Sequence, residues 1–353
     1  MTLIDRNAPV LVTGASGYIA SWIVRYLLEE GRTVHATVRD PSKKSSVGHL
    51  EAIAAKSGGK LKFFKAELLE QGSYDAAAQG CELVMHTASP FIIGGFTDAN
   101  EALVRPAVEG TRNVLETCNR TASVKRVVLT TSIAAVFGDN QDLRKIPGGV
   151  FNEEHWNTSS SVDHQPYSYS KVAAEREAWK MAKAQTRWDL VCINPAFVLG
   201  PSLTKVSAST SIETIQNLGS GKLRTGVPRL MFSLVDVRDV AKAHILAGDI
   251  PAANGRHIIA AGEASLLDMA KMLAPKFPKY PFPKMEIPKA AAWLFGPLTA
   301  GISRKFVSTN VGWPLKLDNA RSKRELGLQY RPIQTTLTEH FQQLIDDGLL
   351  KRR

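Results

Sequence analysis

The sequence predicts an α/β fold: a Rossmann-type doubly wound parallel sheet with a smaller, irregular C-terminal substrate lobe. Three observations predict it. Apolar runs of strand length alternate with helical stretches as far as residue 196, the signature of a parallel sheet with helices on both faces. A glycine turn, "TGASGYIAS", joins the first strand to the first helix. Beyond residue 196 the texture changes to Ser/Thr-rich and Pro-rich segments. A chain of 353 residues suits one nucleotide-type domain with an attached lobe. The expected division is 1–200 for the Rossmann domain, with 235–260 returning to it, and 201–234 and 261–353 mainly for the lobe.

The elements follow in order. "APVLVT" (8–13) is a short β-branched run, as a strand buried on both faces should be. In "YIASWIVRYLLEEG", Ile19, Ile23, Tyr26 and Leu27 recur at helical spacing and Gly31 ends the helix. "RTVHATVR" alternates like a strand, and "KLKFFKA" (60–66), "CELVMHTA" (81–88), "VKRVVLTTS" (124–132) and "WDLVCINPA" (188–196) repeat the pattern. Helices are expected over 98–118 and 168–186 between these strands. Farther on, 211–219 reads as helix, "VDVRDVAKAHILAG" (235–248) as a helix with Asp236 or Asp239 near its start, and "GRHIIAAG" as a strand. Prolines 275, 278, 281, 283 and 288 forbid a regular helix or central strand across 275–288.

Apolar residues make up 44% and charged residues 22%, ordinary for a soluble globular protein. The net charge of +11 reads as a solvated basic surface or a field for anionic ligands. No basic run interleaved with aromatics points to nucleic acid, and Lys351-Arg352-Arg353 reads as a solvated tail. Cys81, Cys118 and Cys192 are odd in number and lack CxxC spacing, so buried thiols in a reducing, cytoplasmic compartment are expected. The N-terminus does not read as a signal peptide. "AAAWLFGPLTAGI" (290–302), broken by Gly296-Pro297, is too short for the ~18 apolar residues of a span. It is expected to be a helix and loop packed on the body, with membrane-surface contact as the lesser reading.

The glycine turn carries the first chemistry. Gly14 permits the tight turn, Gly17 lets backbone approach a pyrophosphate, and Ala20 keeps the third position small. The helix N-terminus then offers free N–H groups to phosphates. Which dinucleotide binds is decided where the second strand ends, in Thr37-Val38-Arg39-Asp40. Arg39, followed by Lys43 and Lys44, favours a 2′-phosphate and hence NADP over NAD; Asp40 would favour NAD if it turned inward.

"PYSYSK" (166–171) holds two tyrosines and a lysine. On a helix, i and i+4 share a face and i and i+2 do not, so Tyr167 rather than Tyr169 partners Lys171. A free phenol has a pKa near 10, and a neighbouring ammonium is expected to lower it. The tyrosine could then exchange a proton with a carbonyl or an alcohol. A hydroxyl to fix the substrate oxygen is expected from the strand end Thr130-Thr131-Ser132: Ser132, with Thr131 as the alternative.

At this point the chain resembles an extended short-chain dehydrogenase/reductase. It is most similar to the branch holding dihydroflavonol 4-reductase, cinnamoyl-CoA reductase and the aldehyde/ketone reductases. The likeness rests on "VTGASGYIASWIV", "TVRDP", "HTASPF", "RPAVEGTRNVLETC", "RVVLTTSIAAVF", "FNEEHWN", "YSYSK", "INPAFVLGP", "VDVRDVAKAH" and "RSKRELGL". It weakens over 202–230 and 262–312. The resemblance implies a catalytic Ser132, Tyr167 and Lys171. It implies a phosphate loop of Thr13, Gly14, Ser16, Gly17, Tyr18 and Ile19, and a 2′-phosphate site at Arg39 and Lys44. Glu67-Leu68 stand beside the adenine, where the family usually has Asp-Leu. Thr87, Ala88 and Ser89 line the cofactor, and Pro195 and Val198 lie by the nicotinamide, whose ribose Lys171 holds. No metal is implied. The region Val108-Glu109-Gly110-Thr111 lacks the asparagine that many superfamily members use as a proton relay.

The implied activity is reversible, NADPH-dependent reduction of an aldehyde or ketone, with Tyr167 as proton donor. The alternatives are a nucleotide-sugar epimerase or dehydratase of the same fold, and a non-catalytic NADP-sensing protein. "PFIIGG" (90–95) and the variable lobe suggest an apolar pocket and an apolar or aromatic small-molecule substrate, in a monomer or homodimer.

Overall fold

The first half of the chain alternates strand and helix. In order come β1 (Val10–Thr13), α1 (Tyr18–Glu29), β2 (Thr33–Val38), α2 (Lys44–Ala54), β3 (Lys60–Lys65), α3 (Asp75–Ala78), β4 (Leu83–His86), α4 (Arg105–Arg120), β5 (Arg126–Thr130), α5 (Pro166–Lys183) and β6 (Asp189–Pro195). A π-helical turn, Asn100–Val104, leads into α4. The second half adds β7 (Phe197–Leu199), α6 (Thr210–Ser220), β8 (Val227–Pro228), β9 (Met231–Asp236), α7 (Val237–Asp249), β10 (Gly255–Ile259), β11 (Gly262–Ser265), α8 (Leu266–Leu273), β12 (Glu286–Ile287), α9 (Lys289–Thr299), α10 (Arg304–Asn310), α11 (Ala320–Leu326) and α12 (Ile333–Asp346). The structure, a computed structural model, describes residues 1–90, 98–204, 210–299 and 301–351. Most of "PFIIGG" and the last two residues of the basic tail lie outside these.

Seven strands form one parallel sheet in the order β10-β6-β5-β4-β1-β2-β3. The order reverses at β1, and ligands of such sheets bind in the crevice beyond the carboxyl ends of the strands at that point. The sequence explains the layering. β1 and β4 are buried at every residue, which is why they read as unbroken apolar runs. β3, at the edge, exposes Lys60, Lys62 and Lys65, and edge lysines discourage pairing with a foreign strand. In α1, Ile23, Val24, Leu27 and Leu28 are fully buried, and Gly31 stops the helix with φ 78°.

A second, three-stranded sheet runs β11-β9-β7. It packs with Ile215, Met269, Phe277, Phe282, Leu337 and Phe341 into a separate apolar core. Asp236, rather than Asp239, caps α7 by accepting from the Arg238 N–H at 2.8 Å. Val235 and Asp236 themselves end β9 rather than begin the helix. Asp239 is buried and accepts from Arg331 instead. Within the proline-rich 275–288, the only regular structure is the two-residue β12. All three cysteines are buried and unpaired, and no described helix is long and apolar enough to cross a membrane.

Candidate active site

A cavity of about 580 Å³ opens at the carboxyl ends of the central strands. It brings together residues far apart in sequence. Gly14, Gly17, Tyr18 and Ile19 line it from the turn after β1, Thr87 and Ser89 from the segment after β4, and Thr131 and Ser132 from the end of β5. Tyr167 and Lys171 enter from the first turns of α5, and Pro195 and Val198 from β6 and β7. Tyr169, half-buried on another face of α5, does not line it.

The glycine turn has the shape and donors of an anion cradle. Gly14 sits at φ 63°, where a Cβ would also press on the Ala88 Cα at 3.1 Å. At Gly17 a Cβ would meet the Gly14 carbonyl oxygen at 3.1 Å. Gly17 caps α1 without any side-chain hydrogen bond, so the first-turn N–H groups remain for a ligand. Thr13 is fully buried beneath the turn. Its hydroxyl accepts from the Thr87 and Ala88 N–H groups at 3.0 Å, and Thr87 returns a hydrogen bond to the Thr13 carbonyl, so Thr13 braces the two strand ends. Tyr18 donates to the Gly200 carbonyl at 2.5 Å. Ser16 and Ala88 flank the cradle without lining the cavity.

At the end of β2, Arg39 is exposed. Asp40 turns away: its Oδ1 accepts from the Ser42 N–H at 2.9 Å and the Ser42 hydroxyl at 2.6 Å. Lys44 is paired with Glu51 at 2.6 Å. Leu68 packs on Gly110 of α4, and Glu67 beside it is half-buried. None of Arg39, Lys44, Glu67 and Leu68 lines the cavity. The uncapped turn, the exposed guanidinium and the absence of an inward carboxylate from Asp40 together fit a dinucleotide that carries a 2′-phosphate.

Ser132 hydrogen-bonds the Tyr167 phenol, and its Oγ also accepts from the Ala134 N–H at 3.1 Å. The Lys171 Nζ lies 5.4 Å from the Tyr167 ring centroid and donates to the Ser89 Oγ at 2.9 Å. The expected lowering of the phenol's pKa is not what this geometry gives. The cavity walls strip water from both groups, and the charged form of each is disfavoured. Tyr167 is pushed up to about 12, the Ser132 hydrogen bond offsetting only part of the effect. Lys171 is pushed down to about 8.

Two buried networks hold this arrangement, and neither was visible from the sequence. Behind the cavity, Glu175 is fully buried, one helical turn past Lys171. Its carboxylate accepts from Arg256 Nε at 2.6 Å and Asn194 Nδ2 at 2.8 Å. Asn194 also donates to Thr131 Oγ1 at 2.5 Å and the Ser132 carbonyl at 3.2 Å, which ties both residues to Glu175. At the start of α5, Gln165 adopts φ 54°, the one positive φ at a non-glycine residue among those described. Its amide donates to the Gly138 carbonyl and to Asp139 Oδ1, both at 2.6 Å. Asp139 is buried and also receives His164 at 2.8 Å, Thr309 at 2.9 Å and Asn310 at 2.7 Å. One carboxylate thus joins the loop after β5, the start of α5 and α10.

The rest of the cavity wall is largely apolar, with Phe137, Phe197, Met231, Phe232, Phe306 and Leu315, interspersed with the uncharged polar residues Asn140, Gln165, Asn310, Thr130, Ser168, Thr210, Ser211 and Ser233. β9 supplies Met231 and Phe232, which pair with Ser265 and Ala264 of β11. A "MFSLVD" run, apolar and six residues long, was the available signal for β9.

The model of the NAD dependent epimerase/dehydratase family matches residues 10–262. Cinnamoyl-CoA reductase CAD2 of Medicago truncatula is 39% identical over 339 residues, 95% of this chain and 95% of its own. Tetraketide alpha-pyrone reductase 1 of Arabidopsis thaliana is 38% identical over 282 residues, 79% of this chain and 84% of its own. Among solved structures, yeast methylglyoxal/isovaleraldehyde reductase Gre2 complexed with NADPH superposes with a TM-score of 0.78 at 28% identity, covering 96% of this chain and 99% of that one. Sequence and fold agree, and the chain belongs to the NAD dependent epimerase/dehydratase family of extended short-chain dehydrogenases/reductases, beside the cinnamoyl-CoA reductases.

Proposed function

We propose that the protein reduces aldehydes or ketones to alcohols with NADPH, reversibly. One observation carries the reading: a phenol hydrogen-bonded to Ser132 shares its cavity with an uncapped glycine turn. Relatives that are reductases support it, and so does the likeness to an NADPH complex. The turn from Thr13 to Ile19 would hold the pyrophosphate and Arg39, with Lys44, the 2′-phosphate. Glu67 and Leu68 would flank the adenine; Thr87, Ala88, Ser89, Pro195 and Val198 would flank the nicotinamide half. When bound, the reduced nicotinamide supplies the hydride. Ser132 orients the carbonyl oxygen, and Tyr167, protonated throughout the neutral range, gives it the proton. Below its pKa of about 8, Lys171 is an ammonium that stabilises the phenolate left behind, and it also holds the ribose.

The uncharged wall, in which Phe137, Phe197, Met231, Phe232, Phe306 and Leu315 supply most of the bulk, favours an apolar or aromatic carbonyl compound over a sugar, with 201–234 and 261–353 as the substrate lobe. The three free thiols fit a reducing compartment such as the cytoplasm. Incubation with NADPH and an aromatic or alkyl ketone should yield alcohol and NADP⁺ in equal amounts, with NADH a poorer donor. Formation of neither product across a carbonyl panel would sink the proposal.

Two further results are expected. The pH profile of kcat/KM for reduction, which reports the free enzyme, should fall as pH rises through about 8, where Lys171 loses its charge. A flat profile to pH 9.5 or so, well past that value, would remove the lysine from this role. Gln165→Gly removes a strained φ and an anchoring amide together. The strain relieved and the hydrogen bonds lost are each worth roughly 1–3 kcal/mol, so thermal stability should change little. Turnover should fall by about one to two orders of magnitude as Tyr167 loses its register; unchanged turnover would show that the N-cap does not set the phenol.

A further inference from the structure

Nine large apolar side chains are exposed among the described residues, and five of them fall between Met285 and Leu298. Leu298 is 86% and Met285 60% exposed, and Trp293, Leu294 and Phe295 are about half exposed. Trp293 to Leu298 belong to α9, which carries no charged residue after Lys289. The flanks are the opposite. Lys276, Lys279, Lys284, Lys289, Arg304 and Lys305 are all exposed, against a single acidic residue, Glu286. An uncharged apolar stretch is thus flanked in sequence by cations, of which Lys289 begins the same helix and Arg304 and Lys305 begin the helix packed on it. Arg304 lies over the Trp293 ring at 4.8 Å, so the two characters meet on one face.

We infer that this face docks the protein on an anionic lipid surface. Apolar side chains including Trp and Leu, bordered by Lys and Arg, are what a helix lying in the headgroup plane presents. The aromatic Trp293 suits the interfacial layer, and Lys289, Arg304 and Lys305 beside it suit anionic headgroups. A helix of 11 residues is roughly 16 Å long, about half the hydrocarbon thickness, so it lies on the surface and does not cross. A second copy of this chain is the poorer occupant. A two-fold contact through this face would set its cations against their own counterparts. The placement also has a use: α9 packs on α10, whose Phe306 lines the cavity, so a docked face puts the cavity close to where apolar carbonyl compounds partition.

The test is flotation of the purified protein with phosphatidylcholine vesicles, with and without phosphatidylserine. Binding should appear with phosphatidylserine, weaken at high salt, and be weak with phosphatidylcholine alone. Leu298→Asp and Trp293→Ser should each weaken it about tenfold or more, with thermal stability and turnover of a water-soluble carbonyl unchanged, since neither residue lines the cavity. Brominated lipid should quench part of the tryptophan fluorescence, and Trp293→Phe should remove that part. No flotation with either vesicle overturns the inference. So does a concentration-dependent doubling of mass that Leu298→Asp abolishes, which would make the face an interface between copies.

Discussion

Tyr167→Phe should lower turnover of an aldehyde or ketone by about 10³-fold, within the 10²–10⁴ range of a positioned general acid, while the dissociation constant for NADPH stays the same. The substitution removes one oxygen and keeps the ring, so the wall beside Lys171 is preserved. Ser132 keeps its hydrogen bond from the Ala134 N–H and loses only the phenol. The neighbouring donors are engaged elsewhere: Thr131 is committed to Asn194 and the Ile193 carbonyl, and Lys171 points to Ser89. Tyr169→Phe should change turnover little, because that ring lies outside the cavity. A Tyr167→Phe enzyme within tenfold of the parent would mean that the phenol is not the acid.

Glu175→Gln should destabilise the protein by about 3–5 kcal/mol, the usual result of removing one partner of a buried ion pair. The change is nearly isosteric, so no cavity is made. What is lost is the charge facing Arg256, whose guanidinium is 6% exposed. That guanidinium is stacked 4.0 Å from the Trp156 ring centroid and otherwise bound only to the Glu153 and His155 carbonyls. The melting temperature should fall by about 4–7 °C for a chain of this size. A fall of less than about 2 °C would show that Arg256 finds another counter-charge or water. Turnover should fall as well, since Asn194 links Glu175 to Thr131 and Ser132.

The parts of the molecule legible in the sequence are those governed by local periodicity. β1, β4, β5 and β6 are buried on both faces, and their apolar runs showed it. Helical spacing chose Tyr167 over Tyr169, and only Tyr167 lines the cavity. The doubt over Asp40 was also a local matter: Asp-x-Ser is the spacing of a side-chain-to-backbone turn, and Asp40 makes that turn. What escaped depends on long-range assembly. The Asp139 carboxylate meets Asn310 from 171 positions away, and no spacing rule reports that. β7, β9 and β11 are short strands that acquire meaning only by pairing with one another. The Tyr167 shift runs opposite to the expected direction for a physical reason. The sequence shows a nearby ammonium but not the enclosure, and enclosure opposes the charge of both partners.

The most direct measurement is the fate of deuterium placed at both hydrogen positions of nicotinamide C4 of NADPH during reaction with a ketone. Deuterium is expected at the carbinol carbon of the product alcohol, with NADP⁺ released in equal amount. The contradicting result would be an enzyme that leaves ketones and NADPH untouched yet converts a nucleotide sugar with no net consumption of the cofactor.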